Sequence, residues 1–294
     1  MATLYQGIVG GFNTFIAAED WSTKLQERLD YNTVWKDICR VIYSNYNVIN
    51  NPYLTDPTVH TLARGTAYTY DQITETNEYL TIETGKIIPQ LIDRGVLAQS
   101  GYLRQMEMAD IQGTLLNEAI ESALFAQHAS FTDFGTEDLA GTAGGSSAIT
   151  VSINNIDDII LFVLKTLEVA NGQSKLARDG GFIVWRPADF LLLKQFMMNS
   201  GFNSADLALK NGVTAGIDYM GLTHYSSNLF TASHLFAGIK KAQVVGILKD
   251  TYGQIMVNEK DPNSISGISV VSRVDYGFKT FTKVKPILLD INVA

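Results

Sequence analysis

One apolar stripe sets the frame for this chain. In YLRQMEMADIQGTLLNEAIESALFAQH, Tyr102 to His128, the residues Met108, Ile111, Leu115, Ala119 and Ala123 recur at helical spacing. Leu116, Ile120 and Leu124 widen the stripe. At about 1.5 Å per residue the helix spans roughly 40 Å, about twice the length of an ordinary globular helix. A one-faced helix of that length in a chain of 294 residues reads as a strut.

The elements around the strut are mixed. Residues 1 to about 20 are small, polar and glycine-rich and read as an extended arm. EDWSTKLQERLDYNTVWKDI follows, with Trp21, Leu25, Leu29 and Val34 or Trp35 near helical spacing. TAYTYDQITETNEYLTIETGKIIPQLI is rich in Thr, Tyr and Ile. It reads as a long two-stranded excursion in which Tyr68 and Tyr70 share one face, with Tyr79 and Thr81 alternating with Leu80 and Ile82 in the next strand. A lone hairpin is marginal in water, so this one is expected to lie on another surface.

After a glycine-rich loop, Gly135 to Thr150, NNIDDIILFVLKTLEVANG supplies a second amphipathic helix. Asn154 or Asn155 suits its N-cap, Asp157 and Asp158 its first turn, and Gly172 its C-terminal cap. Phe182–Trp185 reads as a short buried strand. Pro187 then opens a helix ending near Gly201, with Asp189 in its first turn. Beyond Gly216 the segments LTHYSS, HLFAGI, AQVVGILK, GISVVSRVDYGF and KPILLDINV read as strands separated by turns. The fold class is α+β.

Composition narrows the function classes. A net charge of −8 argues against a chain whose main task is gripping nucleic acid, which needs clustered Lys and Arg. The single cysteine, Cys39, allows no internal disulfide and no cysteine-based zinc site. Its apolar setting, WKDICRVIY, reads as a buried thiol. The N-terminus lacks the charged and apolar regions of a signal peptide. The longest strongly apolar run, Ile159–Leu164, is far short of a membrane span.

GIDYMGLTHYSSNLF brings Asp218, His224 and Ser226 within a few positions. No Gly-x-Ser-x-Gly elbow accompanies them, and SSN before apolar residues reads as a turn closing a strand. LAGTAGGSS lacks the Gly-Lys-Ser/Thr of a phosphate loop, and TGKI lacks the hydroxyl after its lysine. His60, His128, His224 and His234 show no metal-binding spacing. Glu118 and Glu121 share a helix face, but no Glu-x-x-His accompanies them; they read as a solvated face or a subunit contact. The residues therefore point to no catalytic, cofactor or metal site. An extended arm, a strut and an uncovered hairpin point instead to assembly.

The order of these segments resembles the major capsid protein of tailed bacteriophages, with the HK97-type fold. EDWSTKLQERLDYNTVWKDI is similar to its N-terminal arm (residues 1–49). TAYTYDQITETNEYLTIETGKIIPQLIDRG is similar to the extended hairpin called the E-loop (50–94). YLRQMEMADIQGTLLNEAIESALFAQ is similar to the spine helix of the peripheral domain (95–150). Residues 151–252 resemble the axial domain, and 253–294 resemble strands returning to the peripheral domain. The resemblance implies pentamers and hexamers of an icosahedral head enclosing double-stranded DNA, made in the host cytoplasm and residing in the virion. It implies a portal, possible decoration proteins and, with no charged helical segment before the arm, a separate scaffolding protein. Subunit contacts are expected at Trp21 and Trp35 in the arm and at Tyr68, Tyr70 and Tyr79 in the hairpin. No cofactor, metal or membrane is implied. An encapsulin-like nanocompartment shell and a soluble α/β enzyme using Asp218, His224 and Ser226 are the alternatives.

Overall fold

A computed structural model describes residues 33–68, 70–93, 105–134, 148–200, 216–230, 233–252, 255–258 and 267–294. Trp21 with the rest of the arm up to Asn32 and the glycine-rich segment 135–147 lie outside them. Among the described residues are a five-stranded sheet, a six-stranded sheet and a separate two-stranded ribbon.

The six-stranded sheet holds most of the core. It is built from β5 (Thr132–Asp133), β6 (Gly181–Trp185), β7 (Gly216–Tyr219), β8 (Leu222–Ser226), β9 (His234–Ile239) and β13 (Leu288–Asn292), in the order β5-β13-β9-β6-β8-β7. Every residue of central β6 is buried, as its apolar run GFIVW requires of a strand covered on both faces. The amphipathic helix falls where its spacing predicts it, as α3 (Ile156–Val169), and buries Ile156, Ile159, Ile160, Val163 and Leu167. Its C-terminus differs from expectation. Asn171, with φ of 58°, takes the left-handed position. The Asn171 N–H bonds the Glu168 carbonyl and the Gly172 N–H bonds that of Leu167, a Schellman closure. Gly172 is needed for space instead, because a Cβ there would lie 2.6 Å from the Leu167 carbonyl oxygen. The short helix α4 (Gln173–Asp179) leads into β6, and α5 (Pro187–Asn199) follows it with proline in its first turn.

The five-stranded sheet is organised by β12 (Gly267–Lys279). One edge of β12 pairs with β4 (Thr84–Asp93). The other is shared by β11 (Ile255–Asn258) and β10 (Val244–Leu248), and β1 (Arg40–Ser44) adds in parallel to β10. The strands group differently from their sequence neighbourhood. β10 leaves its neighbour β9 for this sheet, and the closing strand β13 joins β9 in the other. Edge pairing decides this: the turn at Lys240–Gln243, where Lys241 has φ of 60°, and the 3₁₀ turn Lys285–Ile287 each carry the chain from one sheet to the other.

The strut is α2, Gln105–Phe125 among the described residues, about 31 Å long. Its buried face is rotated from the expected stripe. Leu116, Ile120 and Leu124 are buried, whereas Ile111, Leu115, Ala119 and Ala123 are only partly covered. The difference arises because buried polar residues, Gln112, Glu118 and Glu121, complete the inward face.

The ribbon pairs β2 (Val48–Leu54) with β3 (Glu75–Thr81). Tyr68 and Tyr70 do not belong to a strand; they sit in the loop 55–74 that joins β2 to β3. The ribbon is seated on two glycines, Gly246 of β10 and Gly277 of β12, which face each other in register. A Cβ on Gly246 would come 2.5 Å from Leu80, and one on Gly277 only 2.0 Å from the Thr81 carbonyl oxygen. Leu80, Ile82 and Val244 bury a small second core there, flanked by Ile42, Ile49 and Phe281. Gly277→Ala therefore meets rigid backbone. It is expected to cost about 1–3 kcal/mol in urea denaturation and to loosen the ribbon, read as faster proteolysis within 55–74. Gly246→Ala meets only side chains and should cost less.

Candidate functional site

The residues of GIDYMGLTHYSSNLF form a hairpin. β7 and β8 pair antiparallel, with Asp218 opposite Thr223 and Tyr219 opposite Leu222. Met220 and Gly221 turn between them with φ of 51° and 77°, the two left-handed positions of a type I′ turn. His224 is fully buried. The Trp185 indole N–H donates to its Nδ1 at 2.9 Å, and its Nε2–H donates to the Tyr219 carbonyl at 3.1 Å. Both ring nitrogens are thus held by groups other than Asp218 and Ser226, and the triad geometry is not formed. Burial pulls the imidazole down to a pKa of about 4. His224 is a neutral core residue.

Glu121 overturns its reading as a solvated or subunit-contact residue. It is completely buried. One carboxylate oxygen accepts from the backbone N–H groups of Val34 and, at 3.1 Å, Trp35. The other accepts from the Ser227 hydroxyl at 2.6 Å. These donors belong to the start of helix α1 (Trp35–Ile38) and to the turn after β8, so one side chain ties three distant segments together. A charge was legible at position 121; its three partners lie 86 to 106 residues away. Burial raises the Glu121 pKa above its ordinary 4.5, partly offset by the hydrogen bonds. Trp35 lies beside it, buried within the chain's own core. Cys39 is buried there too, and burial pushes its thiol pKa up.

The β2–β3 ribbon presents the opposite character. Loop 55–74 has no helix or strand among its described residues, an uncommon length for a connection with no function. It is ordered by its own bonds: Thr58 N–H and His60 Nε2 both reach the Asp71 carboxylate, at 2.9 and 2.7 Å. The rings of Tyr68 and Tyr70 meet edge to face at 5.2 Å. Yet Val59 is 97% exposed, Tyr70 84%, Ile73 75% and Tyr68 64%. Tyr79 on β3 is also exposed. Lys283 holds the loop end of the ribbon, 2.8 Å from Asp56 and over the Tyr53 ring. Between the ribbon and the sheet lies a cavity of about 300 Å³ whose lining includes Arg40, Lys175, Lys241 and Lys283.

Folding also gathers residues that the sequence keeps apart. His128 and His234 stack at 3.8 Å beside Asp290. Among the described residues no helix is long and apolar enough to cross a membrane.

Two consequences can be measured. The folded pKa of His224 lies below its ordinary 6.5, so its contribution to stability is intact above pH 6.5. Roughly 3 kcal/mol is lost as pH falls to 4. The direct check is the nitrogen spectrum of His224, expected to show a neutral Nε2–H tautomer at pH 5. Glu121 has the opposite sign: its raised value makes its contribution greatest below pH 4.5 and weaker as pH rises through the folded pKa. Glu121→Gln can still accept from Val34 and Trp35 while donating to Ser227. It should fold and lose that part of the pH dependence, whereas Glu121→Ala strands three donors and should cost about 2–4 kcal/mol in denaturation.

No protein-family model and no curated protein matches the sequence. Solved structures do match the fold. A structure from Mycobacterium phage Che8 superposes with a TM-score of 0.71 at 20% identity, covering 96% of this chain and 98% of that one. The mature capsid of bacteriophage PhiM1 gives 0.66 at 13% identity, over 96% and 93%. The capsid of Ralstonia phage GP4 gives 0.64 at 11%, over 98% and 99%. Across nearly its whole length, this chain has the fold seen in phage capsid structures.

Proposed function

We propose that the chain is the major capsid protein of a tailed bacteriophage, a structural subunit of the virion. The observation that carries this reading is end-to-end likeness: the capsid structures are covered from 93% to 99% of their own length. A shared core alone would not extend through the arm-side helix, the ribbon and both sheets. In this reading the chain closes into pentamers and hexamers of an icosahedral head around double-stranded DNA, assembled in the host cytoplasm. Ribbon β2–β3 with loop 55–74 is the E-loop, α2 the spine, and the five- and six-stranded sheets the centres of the peripheral and axial domains.

The exposed apolar loop supports this assignment. An isolated subunit gains nothing by holding Val59, Tyr70 and Ile73 in water, whereas a neighbour laid under the loop would bury them. Tyr68, Tyr70 and Tyr79 are the proposed contact residues of the ribbon. Trp21 and Trp35 are proposed to anchor the arm, Trp35 from within its own subunit's core. The net charge of −8 suits an inner wall over which DNA must slide during packaging. A scaffolding protein, a portal and decoration proteins are the proposed partners.

The test is sedimentation velocity with negative-stain microscopy on the chain, alone and co-expressed with phage head genes. Closed shells tens of nanometres across are expected. Replacing residues 57–72 by a short Gly-Ser linker should leave the subunit's circular dichroism unchanged and abolish closed shells. A protein that stays monomeric or dimeric under every condition would refute the capsid reading.

A further inference from the structure

The geometry points to a divalent transition-metal site at His128, His234 and Asp290, of the N/O class that takes zinc, cobalt or nickel. The three residues come from separate elements. His128 opens the 3₁₀ turn that follows α2, His234 begins β9, and Asp290 lies in β13. The sheet register sets two of them: Asp290 pairs with Phe236, and His234 lies two residues before Phe236 on the same strand face.

Their donor atoms converge. The Nδ1 of His234 is 3.0 and 3.1 Å from the two Asp290 carboxylate oxygens, and that of His128 is 3.3 Å from one of them. All three donor atoms fit within 4.8 Å of one another. Ligands held about 2.0–2.1 Å from a tetrahedral zinc lie roughly 3.3 Å apart, so the edges to the carboxylate already have the required length. Two imidazoles and a carboxylate form a donor set suited to zinc, cobalt or nickel, and less so to calcium or magnesium.

Electrostatics favours a cation there. The two rings stack at 3.8 Å beside the Asp290 carboxylate, and an ion bound by both Nδ1 atoms would spread them until each points at it in its ring plane. The imidazoles are 28% and 23% exposed while Asp290 is mostly covered, leaving an approach for the ion and room for water as a fourth ligand. Asp133, in register beside Asp290 on β5, adds negative charge at the same place. The bound ion would pin the C-terminal end of α2 to the margin of the six-stranded sheet.

Equilibrium dialysis of the chelator-treated full chain against zinc chloride tests the site. About one zinc per chain and a raised thermal midpoint are expected. His128→Gln and His234→Gln should each weaken binding at least about tenfold and remove the midpoint rise. Because a variant could misfold, the wild-type chain is also titrated with cobalt, which should give the intense visible bands of a tetrahedral site. No stoichiometric zinc, variants that fold and bind as wild type, or a cobalt spectrum of the six-coordinate aqua ion would each overturn the proposal.

Discussion

A two-stranded ribbon cannot bury enough surface to stand by itself, and its seating on Gly246 and Gly277 is the constraint on which the exposed half of this molecule depends. The two glycines are opposite one another in β10 and β12. Together they clear a flat patch of sheet that the corner Leu80–Thr81–Ile82 occupies. Any side chain at Gly277 would meet the Thr81 backbone. The base of the ribbon is thus fixed by close backbone contact, while its far loop stays open. A rigid root with an apolar, exposed end is what a subunit needs if it is to reach a neighbour without collapsing onto itself.

The rest of the interior is held by a different device. Glu121 joins the start of α1, the C-terminal part of the long helix and the turn after β8 through one carboxylate. A buried carboxylate is tolerated because each oxygen has a hydrogen-bond donor. Gln112 repeats the pattern about two and a half turns earlier, with bonds to Gln90, the Val270 carbonyl and Ser272. The helix is therefore cemented to both sheets by polar side chains as much as by its leucines.

Local patterns in the sequence made much of this legible. The apolar spacing of Ile156–Leu167 located α3, the run GFIVW located a fully buried strand, and the alternation around Leu80 located β3. What stayed hidden depends on long-range pairing. Glu118 and Glu121 look like a solvated face because nothing local announces the donors at Val34, Trp35 and Ser227. His128, His234 and Asp290 look scattered because sheet register, not sequence spacing, brings them together. Tyr68 and Tyr70 have strand-like composition, yet they fall in a loop closed by Asp71 contacts. The destinations of β10 and β13 were likewise decided by free sheet edges.

Cryo-electron microscopy of the particles formed on co-expression would test the central claim most directly, by locating ribbon β2–β3 relative to its neighbours. The expected density lays loop 55–74 across an adjacent subunit, with Val59, Tyr70 and Ile73 withdrawn from solvent. Density in which the loop stands free in solvent, or folds back on its own subunit, would contradict the claim that this surface is built for assembly.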